Sequence, residues 1–591
     1  MSGSQPGAGT GAGSGVAAPL AIVGVIFGGG ALFSGAWLGG TLGAATASGS
    51  WTPPPFSVRS AFRLFTGGPS ALWPTAPTGA LIGMLLLLVL LVAALVVGGV
   101  WAWRHFGPRP GLAGAREMAA MTQEAAEAKA RRLRPALDAV KELHPRDRGV
   151  RLGALRPVDG GPLGPHLYGS DEDTFTAVMG PRAGKSTSLA IPTLLAAPGP
   201  ALLTSNRNDV YSVTARARAR TGNVFTFDLQ HIAYAPRDFW VDLLATARSV
   251  EGARRLAMHF INADSDTRGQ DDFWNKAGGN TLTALFHAAA LSGATVLDVL
   301  AWLDAPSDRA PVNALKDHNA AMASRLAATV SGAVETRDGI YETARQATSC
   351  LLDPQIAAWV LPDKHRAEFK PYDFVTSADT VYLLSKDGGG SAAAICAAVA
   401  DAIFRAGTIA AERNGTGRLP IPMRAILDEA ANVCRIADLP LLYSHLGGRG
   451  INPMTILQSY KQGAKTWGDT GMDALWVAST VKLLGAAQDD ATFAENISKL
   501  IGKHKIKDVS TSQSSSGRST SISPTREEIM QASDVRAIAP GHALVWGSGT
   551  PIARVKLLPW YEEDYAPQMT EDRDAEVAAI AKRASATEVI L

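Results

Sequence analysis

A strand–loop–helix pattern near residue 180 constrains the fold of this chain more than any other feature. Residues 174–179 alternate β-branched, aromatic and small residues, which predicts a β-strand. Gly180, Pro181 and Gly184 interrupt regular structure, and a helix can begin at Ser186. A glycine-containing loop that ends in Lys-Ser between a strand and a helix is typical of a phosphate-binding loop, because its backbone amides and the helix N-terminus attract phosphate oxygens.

The loop predicts ATP and Mg²⁺ as ligands. Lys185 would reach the β- and γ-phosphates, and Ser186 would ligate Mg²⁺. This chain has Met179 where the usual pattern has its first glycine, so a Gly-Lys-Ser on a surface turn is the alternative. The residues that we expect to bind the nucleotide are Gly180, Pro181, Arg182, Ala183, Gly184, Lys185, Ser186 and Thr187.

A second motif is an apolar stretch that ends in two acidic residues. Residues 424–427 predict a strand, and Asp428 and Glu429 follow it directly. At the carboxyl edge of a shared sheet, Asp428 would hold the Mg²⁺ and Glu429 would polarise the attacking water. An exposed acidic turn is the alternative for this motif taken alone. Its pairing with Lys185 in one α/β domain favours an ATPase.

Two further residues are candidates for the same reaction. Arg449 lies in a glycine-rich loop, from which its guanidinium could reach the γ-phosphate held by a neighbouring subunit. Gln458 ends the following strand, where its amide could sense the γ-phosphate or orient water. An arginine in a solvated loop and a strand-capping glutamine are the respective alternatives.

Overall charge and cysteine content exclude several other classes of protein. The net charge is +2, so any contact with nucleic acid must come from a local surface. No basic stripe interleaved with aromatic residues stands out in the sequence. Cys350, Cys396 and Cys434 are far apart and form no Cys-x-x-Cys pair, which excludes a disulfide framework and a cysteine zinc site and suits a reducing compartment.

The N-terminal segment predicts a first membrane helix. We expect residues 1–18, which are rich in Gly, Ala and Ser, to be disordered, and residues 19–45 to span the membrane. Gly35, Gly39 and Gly43 share one helix face and would allow a second membrane helix to approach closely. A secretory signal is the alternative, although the basic residue that normally begins such a signal is missing.

Residues 80–103 predict a second membrane helix. The segment is leucine-rich and uncharged, so its insertion is favourable by roughly several kcal/mol. The connecting loop carries Arg59 and Arg63, and more basic residues follow the second span. This bias places residues 104–591 in the cytoplasm of a multi-pass membrane protein. The basic residues after the span are Arg104, Arg109, Arg116, Lys129, Arg131, Arg132 and Arg134.

The rest of the chain predicts an α/β protein with an insertion. Helix-forming residues in 104–164 favour a linker or stalk helix. β-rich runs alternate with helical stretches in 165–249 and 372–566, which favours a mostly parallel sheet, whereas 250–371 is rich in Ala and Leu and reads as all-α. We expect a polar loop over 507–526 and a flexible tail over 567–591.

The order of these parts resembles the type IV coupling proteins, the TraG/TraD-like membrane ATPases of conjugation and type IV secretion. The resemblance covers about residues 165–565, in addition to the paired membrane spans. The matching segments are Gly180–Ser186, Ile191–Leu195, Leu203–Tyr211, Asp272–Trp274, Leu427–Asn432, Gly448–Gly450, Ile456–Ser459 and Gly547–Ile552.

The resemblance implies a RecA-like P-loop ATPase domain with an inserted all-α domain, preceded by two transmembrane helices. It implies a homo-oligomeric ring, expected to be a hexamer, at the inner membrane of a bacterium. ATP and Mg²⁺ would drive delivery of relaxase-bound single-stranded DNA or of secreted proteins to the components of a type IV secretion channel. Glu429, Arg449 and Gln458 would be the catalytic residues, with Arg449 as the arginine finger and Gln458 as the sensor, and Ser186 and Asp428 would hold the metal.

Two other functions stay open at this stage. One is a docking receptor that recruits effector proteins to a secretion channel with little motor activity. The other is an FtsK-like translocase of double-stranded DNA. The short membrane domain and the short charged tail of this chain disfavour the second of these.

Overall fold

The chain divides into an N-terminal helical unit and a larger α/β unit. The structure is a computed structural model, and it describes residues 17–106, 111–157, 161–264, 273–386, 392–514 and 517–587. The first unit extends from Met1 to Arg109 and the second from Pro110 to Leu591. The disorder expected for residues 1–18 lies almost wholly outside the described residues.

Two long helices form the N-terminal unit, with a short helix between them. They are α1 (Ala17–Ser48), α2 (Val58–Gly67) and α3 (Pro77–Phe106). The helices expected over 19–45 and 80–103 correspond to α1 and α3. Residues Pro77–Gly98 of α3 are long and apolar enough to cross a membrane, whereas the side chains of α1 are described only from Phe33 onward.

Glycines allow α1 and α3 to pack closely. A Cβ atom added to Gly43 would lie 2.1 Å from the carbonyl oxygen of Gly79, and one added to Gly39 would lie 2.6 Å from that of Gly83. The predicted close approach is therefore confirmed at these two positions. Gly35 is different, because a Cβ atom there would meet nothing within 4 Å.

The second unit contains the remaining helices. They are α4 (Gln123–Leu133), α5 (Ile191–Leu195), α6 (Asp209–Arg218), α7 (Val250–Asp264), α8 (Phe273–Ser292), α9 (Val296–Asp304), α10 (Ala310–Lys316), α11 (Ala320–Val330), α12 (Val334–Ala347), α13 (Pro354–Ala358), α14 (Pro371–Val375), α15 (Ala393–Arg413), α16 (Ala430–Val433), α17 (Leu439–Leu446), α18 (Tyr460–Ala478), α19 (Ala491–Ile501), α20 (Ala532–Arg536) and α21 (Ala566–Ser585). By length and composition α15 too could cross a membrane, but most of it is buried in this unit, so it is a core helix.

All the strands in the described residues belong to the second unit. They are β1 (Val150–Leu155), β2 (His166–Gly169), β3 (Phe175–Val178), β4 (Ala201–Ser205), β5 (Val224–Asp228), β6 (Phe239–Trp240), β7 (Ala367–Glu368), β8 (Thr380–Leu384), β9 (Met423–Leu427), β10 (Ile451–Leu457), β11 (Val481–Gly485), β12 (Lys503–Ser514), β13 (Gly517–Glu528), β14 (His542–Gly547) and β15 (Ala553–Lys556). In the described part of the chain, eleven of them form one sheet in the order β2-β1-β15-β14-β11-β3-β10-β9-β4-β8-β5.

The sheet is parallel in its centre and antiparallel at one side. Strands from β11 to β5 run parallel, and β4, β8, β9 and β10 are buried along their whole length. Such apolar strands must be covered on both faces, which a parallel sheet with crossover helices achieves. The predicted α/β class is confirmed as a mixed sheet, because β14, β15, β1 and β2 pair antiparallel.

The predicted stalk helix over 104–164 is wrong. Its α-helix, α4, ends before Pro135, and β1 is part of the main sheet through antiparallel pairing with β15. Met118 is fully buried, and Arg134 forms ion pairs with Asp147 at 2.7 Å and with Asp171 at 3.1 Å. Helix propensity was overridden here by burial, so the sheet domain begins before residue 165.

The predicted flexible tail over 567–591 is also wrong for its described part. Residues up to Ser585 form α21, which packs against α6. Arg216 pairs with Glu576 at 2.9 Å, and Arg220 pairs with Asp572 at 2.5 Å. The charged residues of this segment favoured a solvent-exposed tail in the sequence analysis. In the structure two of them bind arginines some 350 positions earlier in the chain.

Two further expectations differ from the structure in their details. Helices α7–α13 occupy the region expected to be all-α, but β7 also lies there and pairs with β6. The expected polar loop over 507–526 is most of a long two-stranded ribbon, in which β12 pairs antiparallel with β13. Serine and threonine are common in loops, but they also tolerate the extended backbone of a strand.

The glycine contacts in the N-terminal unit predict that substitution of Gly43 is destabilising, whereas substitution of Gly35 is not. We expect Gly43→Val to push α1 away from α3 and to destabilise their packing by roughly 1–3 kcal/mol, because the new Cβ atom would clash with backbone. The measurement is the temperature at which the detergent-solubilised chain loses helical circular dichroism. Gly35→Val is the matched control, and equal midpoints for the two variants would contradict the close packing.

Candidate functional site

Three neighbouring parallel strands bring the predicted residues to one edge of the sheet. Strand β10 pairs with β3, where Leu457 lies opposite Val178, and with β9, where Thr455 lies opposite Leu427. Because the carboxyl ends of parallel strands lie at the same edge, the residues that follow these strands meet there. This register creates the site.

The first part of the loop is shaped by its contact with the end of β11. The Met179 amide donates to the carbonyl of Leu457 at 2.9 Å and its side chain is fully buried, so Met179 belongs to the sheet core. The Gly180 amide donates to Ala486 at 3.0 Å, and a Cβ atom on Gly180 would lie 2.3 Å from the carbonyl oxygen of Ala487. The glycine is thus needed one residue later than in the usual pattern.

The rest of the loop turns sharply into a helix. Arg182 and Gly184 have left-handed φ values of 58° and 92°, and Pro181 and Arg182 are exposed while Ala183 is buried. Residues Ser186–Ala190 then form a π-helical turn that continues into α5. The Thr187 hydroxyl lies 3.4 Å from the Gly184 carbonyl. All the residues predicted to bind nucleotide are therefore contiguous at the carboxyl edge between β3 and α5.

Lys185, Glu429 and Gln458 form one connected group. The Lys185 ammonium lies 2.6 Å from a carboxylate oxygen of Glu429, and the two side chains are only 13% and 9% exposed. The Gln458 amide nitrogen donates to both oxygens of the same carboxylate at 2.9 and 2.8 Å. The segments that follow β3, β9 and β10 each contribute one of these side chains.

The backbone of Glu429 is strained. Its φ and ψ are 52° and 39°, a left-handed conformation that costs a residue with a Cβ atom about 1 kcal/mol or more. The contacts with Lys185 and Gln458 hold the residue in this conformation. Strain of this kind concentrates at functional sites, where it aims a side chain that regular backbone would not.

Two residues that sequence reasoning did not assign extend this group. The Asn432 amide lies 3.4 Å from Glu429, and Gln462 donates to the Asn432 side-chain oxygen at 3.1 Å. The Gln462 side-chain oxygen also accepts a bond from the backbone N–H of Gln458 at 2.9 Å. Their spacing was the available signal, since Asn432 follows Glu429 by three residues and Gln462 follows Gln458 by four.

Asp428 is buried at the end of β9. One of its carboxylate oxygens lies 3.5 Å from the Ser186 hydroxyl, and its carbonyl accepts a bond from Thr204 at 2.8 Å. Burial raises the pKa of Asp428 to about 7, the negative charge of Glu429 adds to the rise, and Lys185 opposes it. The carboxylate is therefore short of positive partners.

The surroundings of Asp428 fit a magnesium ion. Its other carboxylate oxygen is buried and has no hydrogen-bond partner among the described residues. A carboxylate and a serine hydroxyl are hard oxygen ligands, and Mg²⁺ commonly takes few protein ligands beside phosphate oxygens and water. Ser186 and Asp428 are thus the residues that would hold the ion.

Arg449 does not join this group within one chain. It lies in a 3₁₀ turn, Gly447–Arg449, before the first residue of β10, whereas Gln458 follows the last residue of that strand. Its guanidinium pairs with Glu412 at 3.2 Å. The arginine-finger role stays a prediction, and it requires the site of a neighbouring chain.

Comparisons with known proteins agree with the motifs. Residues 422–540 match a family model described as the TraM recognition site of TraD and TraG. VirD4 of Rhizobium radiobacter is 23% identical over 428 residues, which is 69% of this chain and 60% of that protein. The conjugal transfer protein TraG of Agrobacterium fabrum is 22% identical over 402 residues, which is 64% of this chain and 59% of that protein. The chain thus spans about three fifths of the length of these relatives.

A solved structure shares the fold. The unbound monoclinic form of the bacterial conjugative coupling protein TrwBdeltaN70 matches with a TM-score of 0.51 at 15% identity, over 74% of this chain and 92% of that one. This likeness supports a RecA-like P-loop fold. With the sequence relatives, it confirms the resemblance to the type IV coupling proteins.

The raised pKa of Asp428 predicts an unusual effect of pH on stability. Between the ordinary pKa of an aspartate and about 7, the unfolded carboxyl ionises while the folded one keeps its proton, so the folded state loses stability as pH rises. Without nucleotide or metal, we expect Asp428→Asn to raise the thermal midpoint more at pH 8 than at pH 5. The difference in free energy should be about 2–3 kcal/mol.

The control for this prediction is Asp489→Asn, because the Asp489 side chain is 96% exposed. Its substitution should change the midpoint equally at both pH values. If Asp428→Asn also gave a pH-independent change, its carboxyl would ionise as readily in the folded state as in the unfolded chain.

Proposed function

We propose that this chain is a membrane-anchored type IV coupling protein that uses ATP hydrolysis to deliver DNA or proteins to a secretion channel. The observation that carries this proposal is the junction of Lys185, Glu429 and Gln458 at the carboxyl edge of the sheet. Nucleoside triphosphatases typically use such an arrangement, in which the lysine of a phosphate-binding loop lies next to a carboxylate that is positioned by a side-chain amide. The relationship to VirD4 and TraG supports the transport role.

The side chains suggest how the site would act. Arriving phosphate would draw Lys185 away from Glu429, because the ammonium can exchange one anionic partner for another. Gln458 would then keep the Glu429 carboxylate in place, ready to accept a proton from the attacking water. A magnesium ion held by Ser186 and Asp428 would neutralise charge on the phosphates.

The position of Met179 disfavours the docking receptor without motor activity. The missing first glycine was the main argument for an impaired loop. Because the Met179 side chain is buried in the sheet core and its amide donates to Leu457, the loop itself begins at Gly180 and keeps Gly184, Lys185 and Ser186. The loop departs from the usual pattern outside its phosphate-binding part.

The N-terminal unit supports anchoring in the bacterial inner membrane. We propose that α1 and α3 both cross it, which leaves residues 104–591 in the cytoplasm. Val58 and Phe65 of α2 are 88% and 92% exposed, although both are apolar. An amphipathic helix of this kind between two membrane spans suits contact with the lipid surface.

The place of Arg449 supports a ring of identical subunits. Arg449 precedes β10, at the end opposite Gln458, so a role as arginine finger would require the nucleotide site of a neighbouring subunit. We propose a hexamer. Residues 422–540, which match the TraM recognition model, would contribute to docking of the DNA-bound partners and channel components.

ATP hydrolysis by the detergent-solubilised chain tests the motor. We expect Lys185→Ala to reduce the rate to background, because Lys185 is the loop cation that lies beside Glu429, where it would neutralise the γ-phosphate. Lys461→Ala removes a lysine that is 76% exposed and should keep the wild-type rate. Stimulation by single-stranded DNA would support the conjugation substrate, stimulation by a protein alone would favour an effector substrate, and no hydrolysis by the wild type would reject the motor.

Mixing two inactive variants tests Arg449. Subunits with Arg449→Ala keep their own Glu429, and subunits with Glu429→Gln keep an arginine to donate. We therefore expect mixtures to recover part of the hydrolysis rate if the arginine acts across an interface. Lys185→Ala mixed with Glu429→Gln is the control, since both changes damage the same half of the site and should not complement. Failure of the first mixture at every ratio would contradict the finger role.

A further inference from the structure

The ribbon formed by β12 and β13 is separate from the main sheet. It is in register from Lys503 opposite Glu528 to Ser514 opposite Gly517, and among the described residues neither strand pairs with a third. Its base is attached to α19, where the Ser498 hydroxyl donates to Glu528 at 3.1 Å. An isolated ribbon of this length gains little stability by itself, which suggests that it serves a contact.

The register divides the ribbon residues between two faces of opposite charge. Residues directly opposite each other in an antiparallel pair share a face, and so do alternate residues along a strand. One face, the basic face, carries five basic residues and one acidic residue: Lys503, Lys505, Lys507, Arg518, Arg526 and Glu528. The other face has no lysine or arginine and includes Asp508 and Glu527.

We propose that the basic face of this ribbon binds the sugar–phosphate backbone of DNA. The inference rests on the proposed transport function and names the surface that would touch the substrate. Alternate residues along a strand are about 7 Å apart, so Lys503, Lys505 and Lys507 form a row of cations along one edge of the face. Such a row suits a polyanion, since each neutralised phosphate releases a condensed counterion.

Charge distribution favours DNA over a protein partner. The whole chain has a net charge of +2, whereas the basic face alone has five positive charges and one negative charge. Its apolar content is small and centres on the cross-strand pair Val509 and Ile522. A protein interface normally needs a larger apolar centre, but a phosphate backbone needs only cations and hydrogen-bond donors such as serine and threonine.

The ribbon is inserted at the edge of the sheet that carries the nucleotide loop. The chain leaves this edge after Gly485 of β11 and returns to it at Ala543 of β14, which pairs with Gly485. Ala486, the first residue of the insertion, accepts the hydrogen bond from Gly180 of the loop. A DNA contact on the ribbon would thus belong to a segment that is hydrogen-bonded to the nucleotide loop at Ala486.

Binding of a fluorescent single-stranded oligonucleotide to the full chain, without ATP, tests the proposal. Two variants lower the net charge by four, one on each face. The basic-face variant combines Lys505→Gln, Lys507→Gln, Arg518→Gln and Arg526→Gln. The matched control combines Ser510→Asp, Ser512→Asp, Ser519→Asp and Ser521→Asp on the opposite face.

We expect the basic-face variant to bind at least about tenfold more weakly near 0.1 M salt. The slope of log K against log salt concentration should also become shallower by up to about 3, since each lost phosphate contact in single-stranded DNA contributes about 0.7. The control should keep most of its affinity and its salt slope. DNA-free ATP hydrolysis by both variants reports whether each is folded and assembled.

Two results would overturn the proposal. Equal losses of DNA affinity in both variants would show that binding depends on the net charge of the protein and not on the basic face. Unchanged affinity in both would assign the ribbon to a protein partner or to a second copy of this chain. Because binding is measured without ATP, a wild type that binds DNA through this face but hydrolyses nothing would refute the motor and keep the inference.

Discussion

The ion pair between Lys185 and Glu429 is the contact on which the site depends. Its partners are 244 residues apart in the chain and meet because β10 lies between β3 and β9 in parallel register. A shift of β10 by one residue would move Gln458 away from the carboxylate and reverse the faces of the strand. The buried strands hold the register, so the apolar core determines the geometry of the polar edge.

Close approach of backbones recurs where the structure needs a glycine. Gly180 lies against the end of β11, and Gly39 and Gly43 lie against α3. In each case the absence of a Cβ atom allows contact that any other residue would prevent. The same reasoning explains Met179, which directly follows β3, has its side chain buried in the core and has no need to be small.

Predictions from local composition were wrong where contacts with a distant segment of the chain determine the structure. The residues around α4 favour a helix that packs against nothing else. In the structure, Arg134 is buried and forms ion pairs with Asp147 and Asp171. The charged residues of α21 suit a mobile tail until Arg216 and Arg220 supply partners for Glu576 and Asp572. Likewise, the basic residues of β12 and β13 look scattered in sequence and share a face only after the strands pair.

The sequence by itself determined the class of the fold, the apolar strands and the long apolar N-terminal helices, and it singled out Lys185, Asp428, Glu429 and Gln458 as candidate site residues. These follow from short-range patterns, since strand periodicity and a loop motif are written in neighbouring residues. Tertiary structure alone decided the strained backbone of Glu429, the additions of Asn432 and Gln462, and the place of Arg449 at the opposite end of β10. Each of these depends on strand order and register, which bring together residues that no local pattern connects.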